Sequence, residues 1–185
     1  MFISEKKNLE RKKFKNLMEK SCRNDRKNVE INVKLYIESF AKKVVRLKRI
    51  GIYWPLKNEV DIRSLNEHYS LALPRCINNN ELLFCDWDSK QLTKDYQGIL
   101  APDSSQNLSY EHISLIFMPC LAVDKNLTRL GYGGGYFDRL RGNKNWRKIP
   151  CIGVLTSDCI SHDLLTRADW DIPLSGFITE KEILV

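Results

Sequence analysis

Ile113-Ser114-Leu115-Ile116-Phe117-Met118 is the most apolar run of the chain. A short way beyond it stands Arg129-Leu130-Gly131-Tyr132-Gly133-Gly134-Gly135-Tyr136-Phe137-Asp138-Arg139. A run that is apolar at nearly every position, rather than at alternate ones, suits a strand covered on both faces, as in a parallel sheet. The second stretch holds four of the chain's nine glycines. Without a Cβ, glycine admits positive φ and lets another group come close to the backbone. Four within five positions predict a loop whose N–H groups face one concavity, a nest suited to anions and to phosphate above all. Tyr136 to Leu140 follows as a first helical turn, whose partial positive end adds to the same field. Arg129 and Arg139 flank the loop with permanent charge and suit bidentate phosphate contact. Asp138 would repel a phosphate unless a cation lay between them, which makes it a candidate Mg²⁺ ligand. The plainer alternative is a glycine-rich turn from strand to helix, with Asp138 placed for the helix dipole. Neither Gly-x-Gly-x-x-Gly nor Gly-x-x-x-x-Gly-Lys-Ser/Thr is present.

Outward from this pair, strands and helices alternate. Ile50–Trp54, Leu71–Leu73, Glu81–Trp87, Lys148–Leu155 and Gly176–Ile178 read as strands, the second stopped by Pro74. Helices are predicted around residues 61–69, 135–142 and 160–167, and Gly98–Pro102 reads as a loop. At the start of the chain, a helix beginning at Ser4 carries Leu9, Phe14, Leu17 and Met18. A second, capped by Asn24 or Asp25, carries Val29, Val33, Tyr36, Ile37, Phe40, Val44 and Leu47. This alternation predicts an α/β fold: a layered sandwich with a largely parallel central sheet, Ile113–Met118 at its centre and helices on both faces. Ligands of such sheets bind outside the carboxyl ends of the strands, where the glycine loop falls. One domain is expected over residues 1–185, with residues 1–48 forming two basic helices packed on it.

The 185 residues are 43% apolar with a net charge of +7. Residues 1–50 hold 16 Lys and Arg against 6 Asp and Glu, and the remainder 14 against 17. A basic arm on a near-neutral body fits nucleic acid, an anionic surface or a polyanionic small ligand. No run is long enough to span a bilayer, and charge follows directly after Ser4 with no leader pattern. The six cysteines form no C-x-x-C and no zinc spacing, so a reduced, cytoplasmic chain is expected. His68, His112 and His162 have no serine-nucleophile elbow near them.

Three separated segments share unusual features: Tyr53-Trp54-Pro55-Leu56 with Glu59-Val60-Asp61, Leu71-Ala72-Leu73-Pro74-Arg75, and Met118-Pro119 with Leu121-Ala122-Val123-Asp124 running into the glycine loop. Together, and in this order, they resemble the 5-formyltetrahydrofolate cyclo-ligase family, also called methenyltetrahydrofolate synthetases. The resemblance implies a reaction in which ATP activates the formyl oxygen of 5-formyltetrahydrofolate, yielding 5,10-methenyltetrahydrofolate, ADP and phosphate. It implies that Arg129, Leu130, Gly131, Tyr132, Gly133, Gly134, Gly135, Tyr136 and Phe137 hold ATP, with Arg129 and Tyr136 catalytic. Asp138 and Asp171 would ligate Mg²⁺, and Trp54, Glu59 and Tyr136 would contact the folate. A carboxylate at Glu59 matches the amino and ring N–H donors of a pterin. An N-terminal Lys and Arg four apart would serve the phosphates, and Lys7 with Arg11 has that spacing on one helix face. The basic arm then answers to a triphosphate and a folate glutamate tail. No nucleic acid or membrane partner is expected, and a monomer is.

Five departures from the family pattern stand out. Gln97 occupies a position where an aromatic is usual, with Tyr96 as its substitute were the loop to shift by one. Ala101 replaces an acid, and Cys120 and Leu127 replace glycines. A common Gln is also absent from Thr156-Ser157-Asp158-Cys159. Gln97 and Ala101 motivate a rival, a nucleotide- or folate-binding relative without turnover; a more remote one is an RNA-binding protein using the basic helices.

Overall fold

The computed structural model describes residues 2–88 and 91–185. Helices α1 (Ile3–Lys20) and α2 (Arg23–Ala41) open the chain. There follow β1 (Arg49–Gly51), β2 (Leu71–Cys76), β3 (Leu82–Trp87), a small hairpin of β4 (Thr93–Lys94) and β5 (Leu100–Ala101), β6 (Asn107–Leu108) and β7 (Ile113–Pro119). A second hairpin, β8 (Ala122–Asp124) and β9 (Arg129–Leu130), leads into α3 (Tyr136–Gly142). The chain ends in β10 (Cys151–Val154), β11 (Ile160–Ser161), β12 (Gly176–Ile178) and β13 (Ile183–Leu184).

The main sheet runs β13-β12-β10-β7-β1-β2-β3-β6. Its five middle strands, β12 to β2, are parallel, and antiparallel strands close both edges. β7 lies at the centre, and its uninterrupted apolar sequence serves two cores. Leu115 and Phe117 join Val29, Val33 and Ile37 of α2 on one face. Ile116 and Met118 join Phe14 and Met18 of α1 on the other, where Leu140 of α3 also packs. The α/β sandwich with helices on both faces is therefore as the alternation predicts.

Several local expectations change. β2 runs through Pro74 rather than stopping there. β1 has ended by Gly51, so that flank of β2 is an edge where a missing N–H costs no ladder bond. Residues 160–167 form no helix. The amide of Leu165 donates to Asp124 Oδ2 at 2.9 Å and that of Thr166 to Glu10 Oε1 at 2.9 Å, so side chains have taken the bonds a helix would need. Residues 63–67 form only a 3₁₀ turn, with the Arg63 amide held by Asp61 Oδ1. α1 starts one residue before Ser4, and Glu5 reaches back to the Phe2 amide at 3.0 Å. α2 starts at Arg23 after Cys22, ahead of Asn24 and Asp25, and ends at Ala41, so Val44 and Leu47 lie beyond it. Leu9 is exposed. The inward stripe of α1 is instead Lys7, Glu10, Arg11, Phe14, Leu17 and Met18: charged in its first half and apolar in its second.

Among the described residues no helix is long and apolar enough to cross a membrane. All six cysteines are free thiols, and five are buried.

Candidate active site

Lys7 and Arg11 of the α1 stripe face a cavity of about 750 Å³ at the carboxyl ends of β1, β2 and β7. All three segments that carry the resemblance reach it: Trp54 and Glu59 from beyond β1, Pro74 from β2, and Pro119 with the glycine loop. The volume is that of a small-molecule site. A second cavity of about 590 Å³ adjoins it, sharing Gly135, Asp138, Trp170 and Asp171 as a common wall.

The two flanking arginines are not equivalent. Arg129 lies beneath the loop, donating to the Pro119 carbonyl at 3.1 Å and to Asp138 Oδ1 at 3.2 Å. Burial works against its charge, but Asp138 and Asp171 more than compensate, and its pKa is raised. A Cβ at Gly131 would stand 2.9 Å from the Arg129 guanidinium, so a larger residue there would displace that side chain. Arg139 turns outward, donating to Asn80 O at 2.8 Å and to Gly134 O, and covers the Tyr136 ring. Leu130 is buried and Phe137 packs against Phe84 and the Arg129 guanidinium, so these two residues offer the cavity backbone rather than polar side chains. The Tyr132 hydroxyl is turned to Met18 Sδ at 3.5 Å. Gly133, at φ +103°, passes close beneath Arg11, which donates to the Gly131 carbonyl at 3.0 Å.

Each candidate metal carboxylate already has a cation beside it. Asp138 has Arg129, and Asp171 accepts from Lys7 Nζ and from the Ala168 amide at 2.8 Å. Arg129 is thus a cation beside Asp138 supplied by the protein itself. Of the lysines near Arg11, Lys7 lines the cavity, whereas Lys6 and Lys12 are exposed and Lys15 sits over the Tyr132 ring.

Across the cavity, Glu59 is buried at 8% exposure. Its Oε2 accepts from the Leu56 amide at 2.6 Å, while Oε1 has no partner. Burial pushes its pKa up, opposed by the Leu56 amide, the Tyr132 hydroxyl and the Arg129 charge. That hydroxyl also contacts Met18 Sδ, a weak acceptor, and Oε1 has no partner at hydrogen-bond distance. The Tyr53 hydroxyl closes the loop that presents Glu59, donating to Val60 O at 2.8 Å. Trp54 meets Trp87 edge-on and has the Arg63 guanidinium over its ring at 4.3 Å.

Gln97, a departure in sequence, has a place here: its Nε2 donates to the Tyr136 hydroxyl at 2.7 Å. Asp95 shapes that loop, taking the amides of Gln97, Ile99 and Cys76 at 2.8–2.9 Å. Tyr96 is exposed and does not replace Gln97. The Asp95-Tyr96-Gln97-Gly98 turn could have been recognised from Asp and Gly at turn spacing. Arg141, whose guanidinium is buried on α3, left no signal in the sequence, since an arginine on a short helix reads as solvent-facing.

Comparison with known proteins gives a consistent result. Residues 3–180 match the model of the 5-formyltetrahydrofolate cyclo-ligase family. A 5-formyltetrahydrofolate cyclo-ligase of Haemophilus influenzae is 30% identical over 138 residues, covering 69% of this chain and 73% of that protein. One from Escherichia coli is 26% identical over 150 residues, covering 76% and 82%. The solved structure of Aquifex aeolicus 5,10-methenyltetrahydrofolate synthetase superposes with a TM-score of 0.77 at 29% identity, covering 100% of this chain and 92% of that one. A Mycoplasma pneumoniae synthetase shares the fold, with a TM-score of 0.70 at 23% identity. The chain belongs to the 5-formyltetrahydrofolate cyclo-ligase family.

Proposed function

We propose that this family member converts 5-formyltetrahydrofolate and ATP into 5,10-methenyltetrahydrofolate, ADP and phosphate in the cavity between α1, the glycine loop and Glu59. The observation that carries the proposal is convergence: three segments far apart in sequence line one cavity together with Lys7 and Arg11. The formyl oxygen attacks the γ-phosphorus and displaces ADP. N10 then attacks the formyl carbon, and the C–O bond breaks as phosphate leaves with the bonding electrons and the proton lost from N10. Neither step needs a protein nucleophile. Both need alignment and neutralisation of charge.

Lys7, Arg11 and Arg129 supply positive charge at the triphosphate, and the glycine backbone from Gly131 to Gly135 lets it approach. Tyr136, its hydroxyl accepting from Gln97, keeps its own hydrogen free to donate toward the reacting formyl group. The unsatisfied Glu59 Oε1 takes pterin N–H donors, and Trp54 supplies an aromatic edge beside it.

Asp138 and Asp171 fit Mg²⁺. They are two hard oxygen donors on a shared wall, and no group of three His, Cys, Asp or Glu placed to hold a metal occurs among the described residues. Mg²⁺ characteristically takes one or two carboxylates and completes its shell with substrate phosphates and water. When bound, it would neutralise charge on the phosphates during transfer. Binding of metal and nucleotide together would release Lys7 from Asp171 and Arg129 from Asp138, so each cation meets phosphate as each carboxylate meets metal. The site acts within a cytoplasmic monomer.

The test is to incubate purified protein with Mg-ATP and 5-formyltetrahydrofolate and follow the absorbance of the methenyl product. Its appearance, dependent on both substrates, is expected. ATP binding without product would instead identify a binding relative that has lost turnover.

A further inference from the structure

Arg141 is a buried charge that this reaction leaves unused. It stands on α3 one turn beyond Asp138 and is 5% exposed. Its Nη1 donates to the Ile172 carbonyl at 2.7 Å and its Nη2 to the Pro173 carbonyl at 2.8 Å. Nε is buried without a partner, and no carboxylate pairs with the guanidinium among the described residues. Burying a charge with no counter-charge is strongly unfavourable, and an apolar side chain would fill the same space without that cost. The arginine is therefore in place for what its two bonds hold.

They hold the segment that carries Asp171. Between β11 and β12 the chain has no regular structure and is pinned from outside. Glu10 of α1 takes the amide and hydroxyl of Thr166, Lys7 takes Asp171, and the Leu174 amide donates to Leu127 O at 2.9 Å. Under the proposed function, Lys7 is needed by phosphate, so its hold on Asp171 is given up when nucleotide binds. The Arg141 bonds involve neither carboxylate and persist. They also tie the residues directly after Asp171 to the helix that carries Asp138.

We infer that Arg141 is a positioning residue that fixes the spacing between Asp138 and Asp171, so that metal and nucleotide meet two carboxylates already set apart correctly. This rests on the reading of those two residues as Mg²⁺ ligands. An arginine suits the task because its planar fork reaches two successive carbonyls at once, which a lysine cannot do.

Calorimetric titration of the full chain with ADP, with and without Mg²⁺, tests it. Arg141→Met should weaken Mg-ADP binding by about 10-fold, the usual cost of losing a group that orients a metal ligand, and leave metal-free ADP binding unchanged. Arg141→Lys should fall between, and it decides the matter if the Met variant does not fold. Equal losses with and without metal, or no loss in either, would overturn the positioning role. Asp171→Asn, titrated in parallel, separates the two levels. A Mg²⁺-specific loss there with none in Arg141→Met sinks only the role of Arg141. No Mg²⁺-specific loss in Asp171→Asn sinks the ligand reading beneath it.

Discussion

The two ends of the cavity are electrostatic opposites. At the glycine loop, two cations and two carboxylates sit as Lys7–Asp171 and Arg129–Asp138, each charge answered inside the protein. At Glu59 a carboxylate is buried with one oxygen answered by nothing. Arg11 adds a third cation with no carboxylate beside it among the described residues, so the first end is positive at rest. It would suit a ligand carrying both signs with a net negative charge, a polyphosphate with its divalent cation, which would replace both pairs and answer Arg11. The second end has a standing demand for hydrogen-bond donors, which a neutral ring bearing N–H groups would meet.

The largest effect should come from breaking the paired end. Asp138→Asn keeps shape and removes the charge that Arg129 answers and that the proposed metal would share. Turnover should fall on the order of 1000-fold, because a metal's stabilisation of transferring phosphate is worth several kcal/mol. Circular dichroism should stay native. Full activity in this variant would remove the metal role and reduce the Arg129–Asp138 pair to a structural one.

Glu59→Gln probes the other end. A charge-assisted hydrogen bond contributes about 1.5–3 kcal/mol, so the KM for the folate should rise roughly 10- to 100-fold while ATP affinity holds. Stability should move the opposite way. The folded-state pKa of Glu59 lies above its ordinary 4.5 because burial disfavours the charged form. A carboxyl raised in this way binds its proton more tightly folded than unfolded. Stability is therefore lost as pH rises from the unfolded pKa through the folded one. At pH 7 Glu59 weakens the fold, and Glu59→Gln should melt higher than the native chain. The advantage should shrink as pH falls toward 4. A variant that melts lower at pH 7 would show that Glu59 is satisfied in a way the geometry does not reveal.

Lys7→Met sharpens the comparison from within the paired end. It removes one phosphate contact and frees Asp171, so ATP affinity should drop about 10-fold, as for a charge-assisted bond. Unchanged affinity would assign Lys7 to the fold alone.

How much of this could be read in the chain follows the physics. β7 was legible because residues buried on both faces leave an apolar run, and the glycine loop because close approach and positive φ require glycine. Leu127 shows the same logic at its limit, standing at φ +60° where a turn glycine is usual. Residues 160–167 were misread because their hydrogen bonds go to Asp124 and Glu10, distant in sequence and invisible to periodicity. The face of α1 was half legible: its apolar half followed helical spacing, while Lys7 and Arg11 turn inward to a cavity and Glu10 to Thr166, none of which periodicity shows. Pairing was not legible at all. Nothing near Asp138 or Asp171 in sequence says which cation each will meet, nor that Arg141 will be buried.

Gln97 supports the glycine-loop end from its rim and should give the smallest effect. Its bond to Tyr136 lies at an exposed rim, where one neutral hydrogen bond is worth about a few-fold in rate. Gln97→Leu should therefore lower kcat about threefold with little change in the KM for ATP. The informative measurement is the double-mutant cycle. If Gln97 acts by fixing the Tyr136 hydroxyl, Gln97→Leu should cost nothing further once Tyr136→Phe has removed that hydroxyl. Additive losses would mean that Gln97 reaches the folate directly. The aromatic usual at this position would then have been replaced by a new substrate contact rather than by a support for Tyr136.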